Sequence, residues 1–377
     1  MSKRLVLLGG GHAHVQVLHA LATEAMTGAD VLLVTPFARQ MYSGMVPGLV
    51  AGHYTAEQCA IPLAPMAAAA GVPMVESMAV AVDTAARVVH LADGRTAEYD
   101  VLSLDTGASM DRDRIPGARE NAIFVRPIEH FVRLLDGLWM LAQERVVDVV
   151  VVGGGAAGVE LALALQYRLA GQGEERARVA LVTGGPEPLE GYPRAVMRHA
   201  AVALAKRQVT VFRDTCAQLQ PGVLVLGSGA RLACDAPVMA TGAEPPPWLA
   251  GSGLQLDVRG FVCTGPTLQS CSHPEVFAAG DVASRVDAPH PRSGVYAVRA
   301  GPPLLLNLRR FIAGGALQPH TPQKKTLNLI SCGERRAIVQ ARGKEDFAEG
   351  DAVLLITTGG KTRVAKAPPR SAPAASR

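Results

Sequence analysis

The sequence predicts an α/β protein: two copies of one strand, glycine turn, helix and strand unit, followed by a small β-rich region. Three observations predict it. A β-branched and leucine-rich run enters three glycines twice, as Leu5-Val-Leu-Leu-Gly9-Gly10-Gly11 and as Val149-Val-Val-Val-Gly153-Gly154-Gly155. Each glycine cluster then passes into an Ala/Leu/Val/Glu stretch at helical spacing, and each copy closes on a second apolar run that ends in threonine. The chain has 377 residues, 49% of them hydrophobic and 19% charged, which gives length for more than one domain and excludes a disordered or fibrous protein.

Taken in order, the first copy predicts a strand into Gly9, a helix over His14 to Glu24 and a strand over Val31 to Thr35. The second predicts a strand into Gly153, a helix over Gly158 to Leu169 and a strand over Val179 to Thr183. The likeness continues downstream. Val88 to Leu91, a turn at Asp93-Gly94 and a buried run ending Asp105-Thr106-Gly107-Ala108 match Val223 to Leu226, a turn at Gly227-Ser228-Gly229 and a run ending Ala240-Thr241-Gly242-Ala243. In each copy an aspartate, Asp100 or Asp235, stands eight residues before the final alanine. After a proline-rich bend at Pro245-Pro246-Pro247 comes a segment ending Phe277-Ala-Ala-Gly280-Asp281. Beyond Pro322, short alternating strands are predicted over Thr326 to Ile330, Arg336 to Ala341 and Ala352 to Thr357, and the Pro/Ala/Ser/Arg-rich end is predicted to be disordered.

The glycines carry the chemistry. Gly153-x-Gly155-x-x-Gly158 follows a strand and opens a helix, the setting in which this weak pattern becomes a dinucleotide fingerprint. Gly153 permits the tight turn, Gly155 lets a pyrophosphate approach the backbone, and Gly158 lets helix and strand pack closely. The helix start supplies free N–H donors and partial positive charge. In the first copy the pattern is Gly9-x-Gly11-x-x-His14, so His14 must enlarge the contact of helix with sheet or point outward. His12 and His14 do not share a helix face, and no metal site is expected. The acid that would hold an adenosine ribose is missing from both copies, whose strands end in Thr35 and Thr183, which leaves NAD and NADP both open. Asp281, after small residues, suits a hydrogen bond to a sugar-like hydroxyl or a helix N-cap, and Glu160, placed on the first helical turn, suits either a ligand or the helix dipole.

Two dinucleotide sites in one chain make chemical sense when a flavin occupies one and a nicotinamide the other, because hydride then passes directly between them. At these residues the sequence resembles the two-dinucleotide-binding flavoprotein reductases of the pyridine nucleotide-disulfide oxidoreductase superfamily. That group takes in type II NADH dehydrogenases, ferredoxin reductases, sulfide:quinone oxidoreductases and disulfide reductases. Gly9-Gly-Gly-His-Ala-His-Val15, Tyr42-Ser-Gly-Met-Val-Pro-Gly48 and Leu102-Ser-Leu-Asp-Thr-Gly107 resemble a subgroup related to type II NADH dehydrogenases and often joined to selenophosphate synthetase. The resemblance covers about residues 1 to 345 and implies two Rossmann-like domains, the second inserted in the first. The implied boundaries are an FAD-binding first part over 1–110, an NAD(P)H-binding domain over 111–243, an FAD-binding second part over 244–320, a small sheet region over 321–360 and a disordered basic tail over 361–377.

Carried over residue by residue, the resemblance assigns Gly9, Gly11 and Asp281 to FAD and Gly153, Gly155, Gly158 and Glu160 to NAD(P)H, with His12, Thr35, Gly107, Gly242 and Gly280 as further cofactor-binding candidates. Tyr42 and Pro47 become candidates for the neighbourhood of the flavin ring. The stretch from Met41 to Pro47 holds no cysteine, which argues against a dithiol mechanism. The six cysteines (Cys59, Cys216, Cys234, Cys263, Cys271, Cys332) are scattered and expected to be buried thiols. The implied activity is transfer of hydride from NAD(P)H to FAD and of electrons onward to a quinone or similar small acceptor. The alternatives are a reductase for a small redox carrier protein, an NAD(P)H-sensing flavoprotein of the apoptosis-inducing-factor type, and a sulfide:quinone oxidoreductase.

Charge and targeting add exclusions. The net charge of +4 is smaller than the five cations of the tail (Lys361, Arg363, Lys366, Arg370, Arg377), so the rest of the chain is close to neutral and no nucleic-acid surface is expected. No apolar stretch reads as a membrane span and the start lacks a secretion signal, so a cytoplasmic protein is expected. The tail leaves open a peripheral contact at the inner face of the membrane, and the oligomeric state is not legible.

Overall fold

The computed structural model of the chain describes residues 2–170, 176–324, 326–341, 344–349, 354–355 and 363–364. Val147–Val152 is apolar at all but one position and buried on both faces, the pattern of a central parallel strand covered by helices above and below. Its counterpart Lys3–Leu8 is buried from Leu5 onward for the same reason. Around each grows a five-stranded parallel sheet. The first runs Val276–Ala278, Val101–Leu104, Lys3–Leu8, Ala29–Thr35, Met74–Glu76; the second runs Ile123–Phe124, Ala236–Met239, Val147–Val152, Ala177–Thr183, Thr210–Arg213. The chain thus leaves the first sheet after Leu104, builds the second, and returns to the first at Val276.

The two sheets share a register. Leu5 pairs with Val31 and Val101, and Val149, four residues before its glycine just as Leu5 is, pairs with Val179 and Ala236. Each unit also carries an antiparallel three-stranded sheet, over Ala79–Asp83, Val88–Leu91 and Thr96–Glu98 in the first and over Cys216–Gln220, Val223–Leu226 and Arg231–Ala233 in the second. This is the α/β architecture with Rossmann-type parallel sheets that the repeat predicts. The glycine turns sit at the carboxyl ends of the central strands, where α/β sheets bind ligands.

Boundaries shift from expectation. The first cradle helix spans His12–Leu21 rather than His14 to Glu24, and the second spans Ala156–Leu169, two residues earlier than expected. The short helix Val46–Val50 reaches across to the second unit, where Val46 and Val50 join a core with Val159, Leu161 and Val147. The helix Gly294–Ile312 packs along His12–Leu21, and Gly301 faces Gln16 and the Ala13 carbonyl so closely that a methyl group there would collide. At the carboxyl end, strands Asn328–Ser331, Arg336–Ala341 and Lys344–Glu349 form an antiparallel sheet. Most of the expected strand Ala352 to Thr357 and of the expected disordered tail lies outside the described residues; within them, Leu354–Leu355 pairs with Arg363–Val364. No helix among the described residues is long and apolar enough to cross a membrane.

Candidate active site

The two glycine turns are built alike. Gly9 has φ +96° and Gly153 φ +133°, conformations open to glycine, and a side chain on either would strike the carbonyl of the neighbouring strand end, Asp105 in one turn and Ala240 in the other. The turn amides close onto the sheet, Gly9 N–H to the Val34 carbonyl (2.7 Å) and Gly153 N–H to the Val182 carbonyl (2.9 Å). Gly11 and Gly155 then cap their helices with extended backbone and no capping side chain, and neither helix has an acid in its first turn. Each threonine at the strand end is buried against the middle glycine, Thr35 against Gly10 and Thr183 against Gly154. Above Gly155 and Gly242 nothing lies within 4 Å of where a side chain would begin, and the same holds at Gly107. In the second cradle a helix start with open space before it fits a dinucleotide pyrophosphate, whereas in the first the Asp105 carboxyl stands against Gly11.

The third position of the turns differs. A methyl on Gly158 would collide with the Gly153 carbonyl. The equivalent His14 is fully buried and points inward, not outward. Its Nδ1 donates to the Gly9 carbonyl (2.6 Å), which as a carbonyl can only accept, and its Nε2 meets the Ser103 hydroxyl (2.8 Å). The ring therefore bridges turn and strand. Burial pushes its pKa down to about 4, against the pull of the Gly9 carbonyl. Asp105, also buried, accepts the His14 backbone N–H at Oδ2 (2.9 Å), and its carboxyl stands against both Gly11 and Gly280. Burial pushes Asp105 up to about 7, although the His14 and Ala13 amides hold it down. In the aligned second copy, Ser103 and Asp105 are replaced by Val238 and Ala240.

Two of the residues singled out from sequence, His12 and Tyr42, meet at one wall. His12 is buried with its ring 5.2 Å from that of Tyr42, edge to face, and its other edge lies beside Gly294 at the start of the helix Gly294–Ile312. Burial lowers the His12 pKa, opposed by Asp281, and raises that of Tyr42, so near neutral pH both are uncharged. Pro47 is buried within the helix Val46–Val50, which packs on the second unit. Gly280 and Asp281 lie on a single 3₁₀ turn, and Asp281 Oδ2 accepts from both terminal nitrogens of Arg126 (3.2 and 3.1 Å). Arg292 donates to the Asp281 carbonyl (3.2 Å) while covering the Phe261 ring. Glu160 falls on the second helical turn, not the first, and its Oε1 accepts the Ser331 N–H (2.8 Å) from the carboxyl-terminal sheet. Burial pushes it up to about 7.

Sequence reading missed the His14, Ser103 and Asp105 set and the Arg126 partner of Asp281. The first had a signal: three aligned positions of the repeat change together, from Gly158, Val238 and Ala240 to His14, Ser103 and Asp105. Of the cysteines, Cys59, Cys234, Cys263 and Cys332 are buried, whereas Cys216 is half-buried and Cys271 exposed, against expectation. Burial raises all six thiols, Cys59 to about 11, so none of them is poised as a thiolate.

With this geometry in place, comparison with known proteins is decisive. A model of the pyridine nucleotide-disulphide oxidoreductase family matches residues 3–301. The chain belongs to that family. The pyridine nucleotide-disulphide oxidoreductases it resembles in sequence include the demethylphylloquinone reductase NdbB of Synechocystis, 25% identical over 298 residues that cover 76% of this chain and 73% of the relative. The NADH dehydrogenase-like protein YutJ of Bacillus subtilis is 22% identical over 343 residues, covering 89% and 91%. In fold the chain is similar to NDH2 of Plasmodium falciparum in complex with NADH, with a TM-score of 0.74 at 12% identity over 92% of each chain. It is equally similar to the sulfide:quinone oxidoreductase of Aquifex aeolicus, with a TM-score of 0.74 at 19% identity over 90% of this chain and 83% of the other. As a member of the pyridine nucleotide-disulphide oxidoreductases the protein is an FAD-dependent NAD(P)H oxidoreductase.

Proposed function

We propose that the protein takes hydride from NAD(P)H held at the Gly153 turn, delivers it to FAD held at the Gly9 turn, and passes the electrons to a quinone. The observation that carries this reading is the pair of glycine turns in one register, with the chain returning beside the first at Gly280 and Asp281. When bound, the nicotinamide gives up hydride and the flavin accepts it, then releases electrons to the acceptor.

The residues of the chain bind, orient and exclude water. The start of Ala156–Leu169 provides amide donors and a positive dipole end for one pyrophosphate, and the start of His12–Leu21 provides its dipole end for the other, its Ala13 and His14 amides being held by Asp105. Gly155 and Gly242 leave the backbone of the second cradle bare for close approach, as Gly107 does in the first. Asp281 offers a carboxylate oxygen to a sugar-like hydroxyl while Arg126 holds its Oδ2. His12 and Tyr42, uncharged and in contact, make a low-dielectric wall in which Tyr42 Oη keeps its proton. Raised thiols and a Met41 to Pro47 segment without cysteine favour direct transfer to a small acceptor over a dithiol relay. The names of the relatives, a demethylphylloquinone reductase among them, support a quinone as that acceptor.

The test is steady-state oxidation of NADH and NADPH by the purified protein with a soluble short-chain quinone under anaerobic conditions. Rapid turnover with the quinone is the expected result. Turnover that appears only with a protein electron carrier contradicts the quinone assignment.

A further inference from the structure

The carboxyl of Asp105 stands in a place that the second cradle leaves empty. It presses against Gly11, whereas the equivalent Gly155 has nothing within 4 Å, and it touches Gly280 on its other side. A pyrophosphate drawn to the first helix start would therefore meet an acid already seated there. We propose that Asp105 is a positioning residue that carries a proton while the first glycine turn holds its dinucleotide, so that flavin binding takes up one proton. This rests on the assignment of FAD to the Gly9 turn.

The surroundings of Asp105 leave it no other way to neutralise. None of the described salt bridges includes it, and its side-chain partners are backbone amides at the helix start, His14 N–H at 2.9 Å among them. The nearest ring, His14, has its Nδ1 hydrogen committed to the Gly9 carbonyl and its Nε2 committed to Ser103, and burial keeps it neutral. From the same helix, His12 faces the site uncharged. From the Gly280–Val282 turn comes a second acid, Asp281, which pushes the Asp105 proton affinity further upward. The cations near Asp281 are engaged: Arg126 pairs with its carboxylate, and Arg292 binds its carbonyl and Asp257. An ionised Asp105 would thus face Asp281 and a pyrophosphate with no cation of its own. Burial already brings it to about 7 before a second anion arrives, so near neutral pH the ligand decides its state.

Ser103 and His14 give the arrangement its shape. Ser103 orients the ring, the ring holds the Gly9 carbonyl, and the His14 amide fixes the carboxyl on Gly11. Loss of the proton would leave an uncompensated charge on the turn, which weakens flavin affinity and, by linkage, also lowers fold stability as pH rises through about 7.

The experiment uses the purified flavin-loaded protein, diluted into buffers from pH 6 to pH 8, with release followed by flavin fluorescence and protons counted by an indicator dye. With a free Asp105 near 7 and a proton retained in the complex, the dissociation constant should weaken about tenfold from pH 6 to pH 8, and close to one proton should leave per flavin released at pH 8. Asp105→Asn should bind flavin with no such slope and no proton release, and Asp105→Ala, which installs the second-cradle residue, serves as a second variant if the first does not fold. A flat wild-type profile, or an undiminished slope in Asp105→Asn, overturns the proposal. A protein that contains no flavin at any pH overturns the FAD assignment and this proposal with it, and so separates the two failures.

Discussion

The two glycine cradles solve one backbone problem with opposite side-chain chemistry. Register, turn conformation and threonine floor coincide, yet the second cradle is made tight by removing side chains, at Gly158 and Ala240, and the first by inserting a buried histidine hydrogen-bonded to turn and strand. The difference teaches that the third glycine of this turn is a packing requirement, which a polar bridge can also meet if its partners change with it. The all-small cradle leaves open space above Gly155. The polar cradle seats its own acid, Asp105, against the equivalent Gly11.

The comparison is broken most severely at Gly155. Its surroundings are empty, so Gly155→Val should fold normally, with a thermal midpoint within about 2 °C of wild type, while filling the ligand's space and raising the KM for NAD(P)H about 100-fold or more with FAD still bound. Flavin loss instead would mean that the two cradles are assigned the wrong way round. His14→Ala is expected to cost about 2–4 kcal/mol of unfolding free energy, since it opens a cavity and strands the Ser103 hydroxyl. Denaturant titration measures that cost.

The comparison is sharpened by converting one cradle into the other. The triple variant His14→Gly, Ser103→Val, Asp105→Ala should be more stable than the sum of its single replacements by roughly 1–3 kcal/mol, because the three form one network. Strict additivity would show that the residues act independently. The smallest expected effect lies in the second cradle helix. Glu160, raised to about 7 by burial, stabilises the fold fully below its unfolded value and loses that contribution as pH rises through about 7. Glu160→Gln keeps a group for the Ser331 N–H and should flatten the decline in stability between pH 5 and pH 8, which parallel thermal scans at the two pH values would detect.

What could be read in the sequence was local. The β-branched runs, glycine spacing and repeated hairpins specify strands, turns and helix starts within a few residues of themselves, and the strands Val88–Leu91 and Val223–Leu226 fall where the pattern places them. The helix Gly294–Ile312 was hidden by Pro302 and Pro303 in its interior, residues that ordinarily end a helix. In the site, the glycines declare themselves by spacing, while their side-chain partners do not. Ser103 and Asp105 come to His14 from 89 and 91 residues away, Arg126 to Asp281 from 155, and Ser331 to Glu160 from 171. Such pairs follow from sheet topology and strand return, which no window of sequence contains.

The most direct test of the central claim is anaerobic mixing of the purified protein with NADH or NADPH while the visible spectrum is recorded. Two occupied cradles in hydride contact predict that the yellow absorption of bound flavin bleaches with one equivalent of reduced nucleotide and returns on adding quinone. A colourless protein, or a flavin band that neither nucleotide bleaches, would contradict it.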